Sequence, residues 1–174
     1  ANLACTYQLL GRNESALSLR RDVYSGNLSV FGTEHSKTVV EANNYACLLT
    51  ELNRFEEAKS LLRKMIPVAR RVLGESHDIP LRMRWIYARA LYMDKGVSLD
   101  DRREAVATLE SVAHSWKRIF GPAHPETAKV QAALKQAREM LELNCFSVDL
   151  MEANRNDTKF FTAVASSIKQ RGRP

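Results

Sequence analysis

The sequence predicts an all-α protein: an α-α superhelix of about three helix pairs followed by one closing helix. Three observations carry that prediction: a 42-residue internal repeat, helical spacing of apolar residues inside each copy, and a Gly-x-x-His turn after each pair. Shifted by 42 residues, "NLACTYQLLGRNESALSL" (2–19) lies over "NYACLLTELNRFEEAKSL" (44–61) without a gap. The shift matches Ala4 with Ala46, Leu10 with Leu52, Ala16 with Ala58 and Leu19 with Leu61, and further on Gly32 and His35 with Gly74 and His77. A third copy opens at the same interval, with "WIYARALY" (85–92) over "NNYACLLT" (43–50). It carries five extra residues within "MDKGVSLDDRRE" before Ala105, so Gly121 and His124 fall 47 residues after the previous turn.

Each element has local reasons to form. Tyr45, Leu48, Leu49 and Leu52 recur at i, i+3, i+4 and i+7, as do Ala58, Leu61, Leu62 and Met65, which gives each helix an apolar stripe. Gly11 and Asn53 follow the first helices of copies one and two, where a left-handed residue ends a helix at least cost. Gly32, Gly74 and Gly121 end the second helices. Ser36, Asp78 and the pair His124–Pro125 then read as N-cap and N1 chemistry for the next helix. Ser98 or Asp100 caps the helix after the longer turn.

After His124 a helix is predicted over 125–143, with Val130, Leu134, Ala137 and Leu141 on one face. Lys135 stands there where the copies have Ala4, Ala46 and Ala88, which fits a terminal cap with no helix packed closely over it. The expected units are thus 1–35, 36–77, 78–124 and the cap 125–143, forming one repeat domain over 1–143. Residues 144–174 form a C-terminal extension with a short helix over 157–169, capped by Asp157 and carrying Phe160, Val164 and Ile168. That segment is expected to cover the end of the stack, or to lie in its groove or in a partner.

Composition and spacing exclude several functions. Three cysteines, Cys5, Cys47 and Cys145, have neither a disulfide nor a metal spacing, and they suit a reducing cytoplasm or nucleus, with a cytoplasmic location expected. The three turn histidines lie in successive helix pairs about 10 Å apart, too far to share a metal at bonds of about 2 Å. They are expected to bond backbone, and neither a metal nor a cofactor is expected. No phosphate loop, paired carboxylates or Cys-His motif occurs, so an enzyme is not expected. No apolar run approaches the roughly 20 residues of a membrane span and no signal peptide is evident, so no membrane partner is expected. Residue 1 falls at once into a helical pattern, as in a piece of a longer chain. The net charge of +6 favours acidic partners.

The small residues Ala46 and Ala58, with large Leu49 and Leu62, resemble the helix-turn-helix unit of tetratricopeptide repeats. The 42-residue period and the "LGxxH" or "FGxxHP" turn are similar to the long repeats of kinesin light chain and its relatives. "NNYACLLTELNRFEEAKSLLRKMIPVARRVLGESH" is the best copy, and "FGPAHPETA" is the nearest match to the connecting turn. The likeness covers 1 to about 143, with two departures: Ile86 replaces the Asn2 and Asn44 of the other copies, and the third copy's turn is longer.

The resemblance implies a concave surface lined by first helices that grips an extended peptide. Carried over, copy one presents Asn2, Cys5 and Gln8, and copy two Asn43, Asn44, Cys47 and Thr50. Copy three presents Arg82, Trp85, Arg89 and Tyr92, and the cap helix Lys129 and Gln136. Independently, Arg82, Trp85, Arg89 and Tyr92 recur at i, i+3, i+7 and i+10, and a face with two arginines belongs at solvent. Arginine and tryptophan are also the types that dominate binding hot spots. The bland alternative has Trp85 packing into the neighbouring repeat with the arginines merely solvating it. The leading expectation is therefore a scaffold binding an acidic peptide segment of a protein partner. The alternatives are a structural or regulatory segment of a larger signalling or enzymatic protein, its groove filled by its own tail, and, last, RNA binding.

Overall fold

A computed structural model describes residues 3–94 and 96–143. The predicted tail helix over 157–169 and Asn2 lie outside the described residues. Seven helices and no strand occur among the described residues: α1 (Leu3–Leu9), α2 (Asn13–Phe31), α3 (Ser36–Glu51), α4 (Phe55–Leu73), α5 (Asp78–Met93), α6 (Leu99–Phe120) and α7 (125–143). Pairs α1–α2, α3–α4 and α5–α6 correspond to the three sequence copies.

From α1 to α6 each helix packs on the next, and α3 also packs on α5. The second helices α2, α4 and α6 make no such contacts with one another. Where the first helices α3 and α5 approach while the second helices α4 and α6 splay, the stack curves toward the first-helix side. That side is the concave face.

Small residues make the close approach possible. Ala16, Ala46, Ala58, Ala88 and Ala105 are fully buried, so neighbouring helices meet with little side chain between them. Leu62, Leu109, Val112 and Trp116 fill the space between pairs. Full burial of such side chains contributes about 1.5–3 kcal/mol each. Copy one departs from this pattern, with Arg20 in the register position of Leu62 and Leu109. Its side chain is buried, with Nη1 3.4 Å from Glu41 Oε2 and Nη2 donating to Cys5 Sγ at 3.3 Å.

The recurring turn has one mechanism. His35, His77 and His124 each use Nδ1 to accept the backbone N–H two residues on, from Lys37, Ile79 and Glu126, all at 3.2 Å. The cap therefore falls one residue before Ser36 and Asp78, which already sit inside their helices. An adjacent imidazole reaches the free N–H groups from extended backbone, and the expected Ser36 and Asp78 caps are displaced. Phe31 and Phe120 stack on His35 and His124 with ring centres 4.6 and 4.7 Å apart. Hydroxyls of Thr38 and Thr127 donate to the carbonyls of Gly32 and Gly121 at 2.8 and 3.0 Å. Pro80 occupies that place in copy two, and there the His77 N–H donates to the Gly74 carbonyl at 3.2 Å. Gly32, Gly74 and Gly121 take φ of 78°, 90° and 85° with extended ψ, an essentially glycine-only region that costs other residues about 1–3 kcal/mol.

The long turn of copy three is tied from both sides. Asp94 Oδ1 accepts from Gly96 N at 3.1 Å, and Asp94 Oδ2 from the buried ammonium of Lys59 at 3.1 Å, which Glu56 also meets. Burial pulls the Lys59 ammonium down, but Glu56 and Asp94 outweigh it and hold the group protonated. Ser98, rather than Asp100, caps α6: its hydroxyl accepts from Asp101 N at 3.1 Å while Asp101 Oδ2 accepts from Ser98 N at 3.3 Å.

Candidate functional site: the concave face of the first helices

The repeat register sorts this face into columns. Cys5, Cys47, Arg89 and Gln136 occupy one, and Val40, Arg82 and Lys129 another. Cys47 and the two arginines lie close enough on α3 and α5 for both guanidiniums to act on the thiol. Burial, and then the neighbouring Glu51 carboxylate, nevertheless push the Cys47 thiol up to about 11.

The predicted residues divide by depth. Arg82 and Arg89 are half-buried on α5. Arg82 Nε lies 3.1 Å from Asp78 Oδ2, an ion pair whose N–H is not aimed at the carboxylate. Arg89 Nε donates to Met93 Sδ at 3.3 Å, and no carboxylate among the described residues lies within ion-pairing distance of it. Lys129 is exposed on α7 and pairs with Glu126 at 2.8 Å, while Asn44 and Cys47 are half-buried on α3.

The remaining predicted residues form the floor. Trp85 is half-buried against the core, its ring centre 6.2 Å from that of Trp116, and its indole N–H is enclosed without a partner among the described residues. Asn43 is only 5% exposed, and its Oδ1 is likewise enclosed and unpaired among the described residues. Tyr92 is 3% exposed; its hydroxyl donates to Gln136 Oε1 at 3.4 Å, and its carbonyl accepts from Arg102 Nη1 at 3.2 Å. Thr50 is also buried, bonding the Ala46 carbonyl at 2.9 Å. Of the copy-one residues, Cys5 is held by Arg20 and Gln8 by Glu51.

Sequence reasoning missed Glu51. Its carboxylate lies at the open end of α3, accepting from Gln8 Nε2 at 2.9 Å and from the Cys47 thiol at 3.5 Å. A signal was present: the same register places Glu51 over Leu9, Met93 and Met140, one acid in an otherwise apolar column.

This geometry is that of a helical-repeat solenoid of tetratricopeptide type. The tetratricopeptide repeat family model matches residues 42–78, from within α3 through α4 and the following turn to the first residue of α5. A crystal structure of kinesin light chain nearly identical TPR-like repeats from Podosopora anserina superposes with a TM-score of 0.72, at 24% identity over 87% of this chain and 69% of that one. A variant of the same repeats gives 0.72 at 25% identity over the same shares. A comparison with curated proteins finds no match. The repeats of this chain are thus kinesin-light-chain-like, and the architecture is that of a protein-interaction repeat domain. No helix among the described residues is long and apolar enough to cross a membrane, and no group of three or more acidic, Cys or His side chains there could hold a metal ion.

Proposed function

We propose that the chain is a scaffold module that holds an extended, acidic segment of a protein partner along the concave face of α3, α5 and α7. The observation that carries this reading is Arg89: a half-buried guanidinium on that face with no carboxylate partner among the described residues. A partly desolvated guanidinium gains most from a carboxylate that fits its fork. Arg82 and Lys129 add positive potential, while Asn44 offers an amide that can take both N–H and C=O of an extended strand. In this reading Trp85, Asn43 and Tyr92 shape the floor, and ligand contact falls to Asn44, Cys47, Arg82, Arg89, Lys129 and Gln136. Asn2 would extend the same row. The binding unit spans 1–143, with α7 as its closing helix; the well-exposed Lys135 side chain at the small-residue position supports that boundary.

Panning random dodecapeptides displayed on phage against the whole chain tests the reading. The expected consensus carries an acidic residue, and Arg89→Glu, with an unchanged melting temperature, should abolish its enrichment. An equal consensus recovered by the Arg89→Glu protein would remove the groove from consideration.

A further inference from the structure

Arg89 is a charge on this face with no ion-pair partner among the described residues. So is Glu51, which lies on the adjacent first helix and has neutral donors only, Gln8 and Cys47, with no cation in ion-pairing distance among the described residues. Arg82 and Lys129, by contrast, have acids of their own in Asp78 and Glu126. The Cys47 thiol donates to Glu51 at 3.5 Å, and Arg89 on α5 acts on the same thiol with the opposite sign. A carboxylate and a guanidinium on adjacent first helices, neither with an ion-pair partner among the described residues, are an unequal field to offer a uniformly acidic ligand: the carboxylate would repel the part that crosses α3.

From this we infer that the groove selects a mixed-charge segment, with an acidic side chain over Arg89 and a basic one over Glu51. The inference rests on the peptide-groove reading above and sharpens it. Packed helices lie about 8–10 Å apart, and an extended chain advances about 3.3 Å per residue. The two ligand charges are therefore about three residues apart, and Glu51 is the residue that decides specificity. Its acid is peculiar to copy two, since Leu9, Met93 and Met140 take the corresponding places.

Four pools of synthetic, fluorescein-labelled nonapeptides test this on the whole chain by anisotropy. Each pool is degenerate except at two positions three apart, fixed as Asp/Asp, Lys/Lys, Lys/Asp or Asp/Lys. The expected result is about tenfold tighter binding of one mixed pool than of the Asp/Asp pool, a difference near 1.4 kcal/mol. Glu51→Lys should reverse that order in favour of Asp/Asp, and Arg89→Glu should move preference toward Lys/Lys. Tightest binding of Asp/Asp by the unaltered protein, unchanged in Glu51→Lys, would overturn the inference while leaving an acidic-peptide groove intact. Binding of every pool unaffected by Arg89→Glu would overturn the groove itself. Melting curves of both variants check that the helices persist.

Discussion

Cys47 carries the electrostatics of the concave face in a form that can be titrated. With its thiol pushed up to about 11, its thiolate at pH 8 should be roughly a hundredfold scarcer than that of an ordinary thiol. In a Cys5→Ser, Cys145→Ser background, iodoacetamide should label Cys47 at least tenfold more slowly than free cysteine. Glu51→Gln should speed that labelling, because the carboxylate is one of the groups holding the proton on. The turn histidines give a second residue-scale test. Removing an N-cap acceptor costs about 1 kcal/mol, so His35→Ala should lower unfolding free energy in urea by that amount. Ser36→Ala should stay within about 0.5 kcal/mol, the range of ordinary surface changes. Two adjacent polar residues before a helix look alike as a string; only the extended backbone at His35 decides which one caps. Depth was similarly hidden. Arg82, Trp85, Arg89 and Tyr92 do share a helix face, but α5 is enclosed by α3, α4 and α6, so Tyr92 sinks while the arginines remain half-open.

Helices and turns were far more legible, because their punctuation is local. Glycines at φ near +80° and the residue pattern of each pair fixed where α2, α4 and α6 stop. Gly74→Ala meets no atom within 4 Å, so its cost is backbone strain alone, about 1–3 kcal/mol in urea unfolding. The long turn of copy three was visible as an insertion, but its anchor was not: Lys59 and Asp94 are 35 residues apart and belong to different copies. That anchor should appear in the pH dependence of stability. The Gly96 N–H, and then Lys59, hold the Asp94 carboxyl below its usual range. Its contribution is therefore complete above about pH 4, the ordinary carboxylate value, and disappears as acid protonates it further down. Between pH 5 and 2 the unaltered protein should lose stability more steeply than Asp94→Asn. Equal slopes would show that the turn is not held this way.

At the scale of the molecule, curvature is the property that makes the first-helix side concave, and it follows from contacts no local pattern contains. First helices approach across the small Ala46 and Ala88 sites while second helices stay apart. The period of the repeat announced a stack but not which flank would be hollow; that came from the family resemblance. Arg20, standing where Leu62 and Leu109 pack in the other copies, shows that copy one trades apolar filling for an ion pair with Glu41. Trp116 is the core's largest fully buried side chain and seats Trp85 beneath the groove. Trp116→Ala should cost about 3–5 kcal/mol and weaken peptide binding together with stability, unlike Arg89→Glu, which should weaken binding alone.

Hydrogen exchange of the whole chain with and without a peptide selected by panning tests the concave-face assignment most directly. Protection is expected along α3, α5 and α7, with α2, α4 and α6 unchanged. Protection concentrated on α4 and α6 would contradict it.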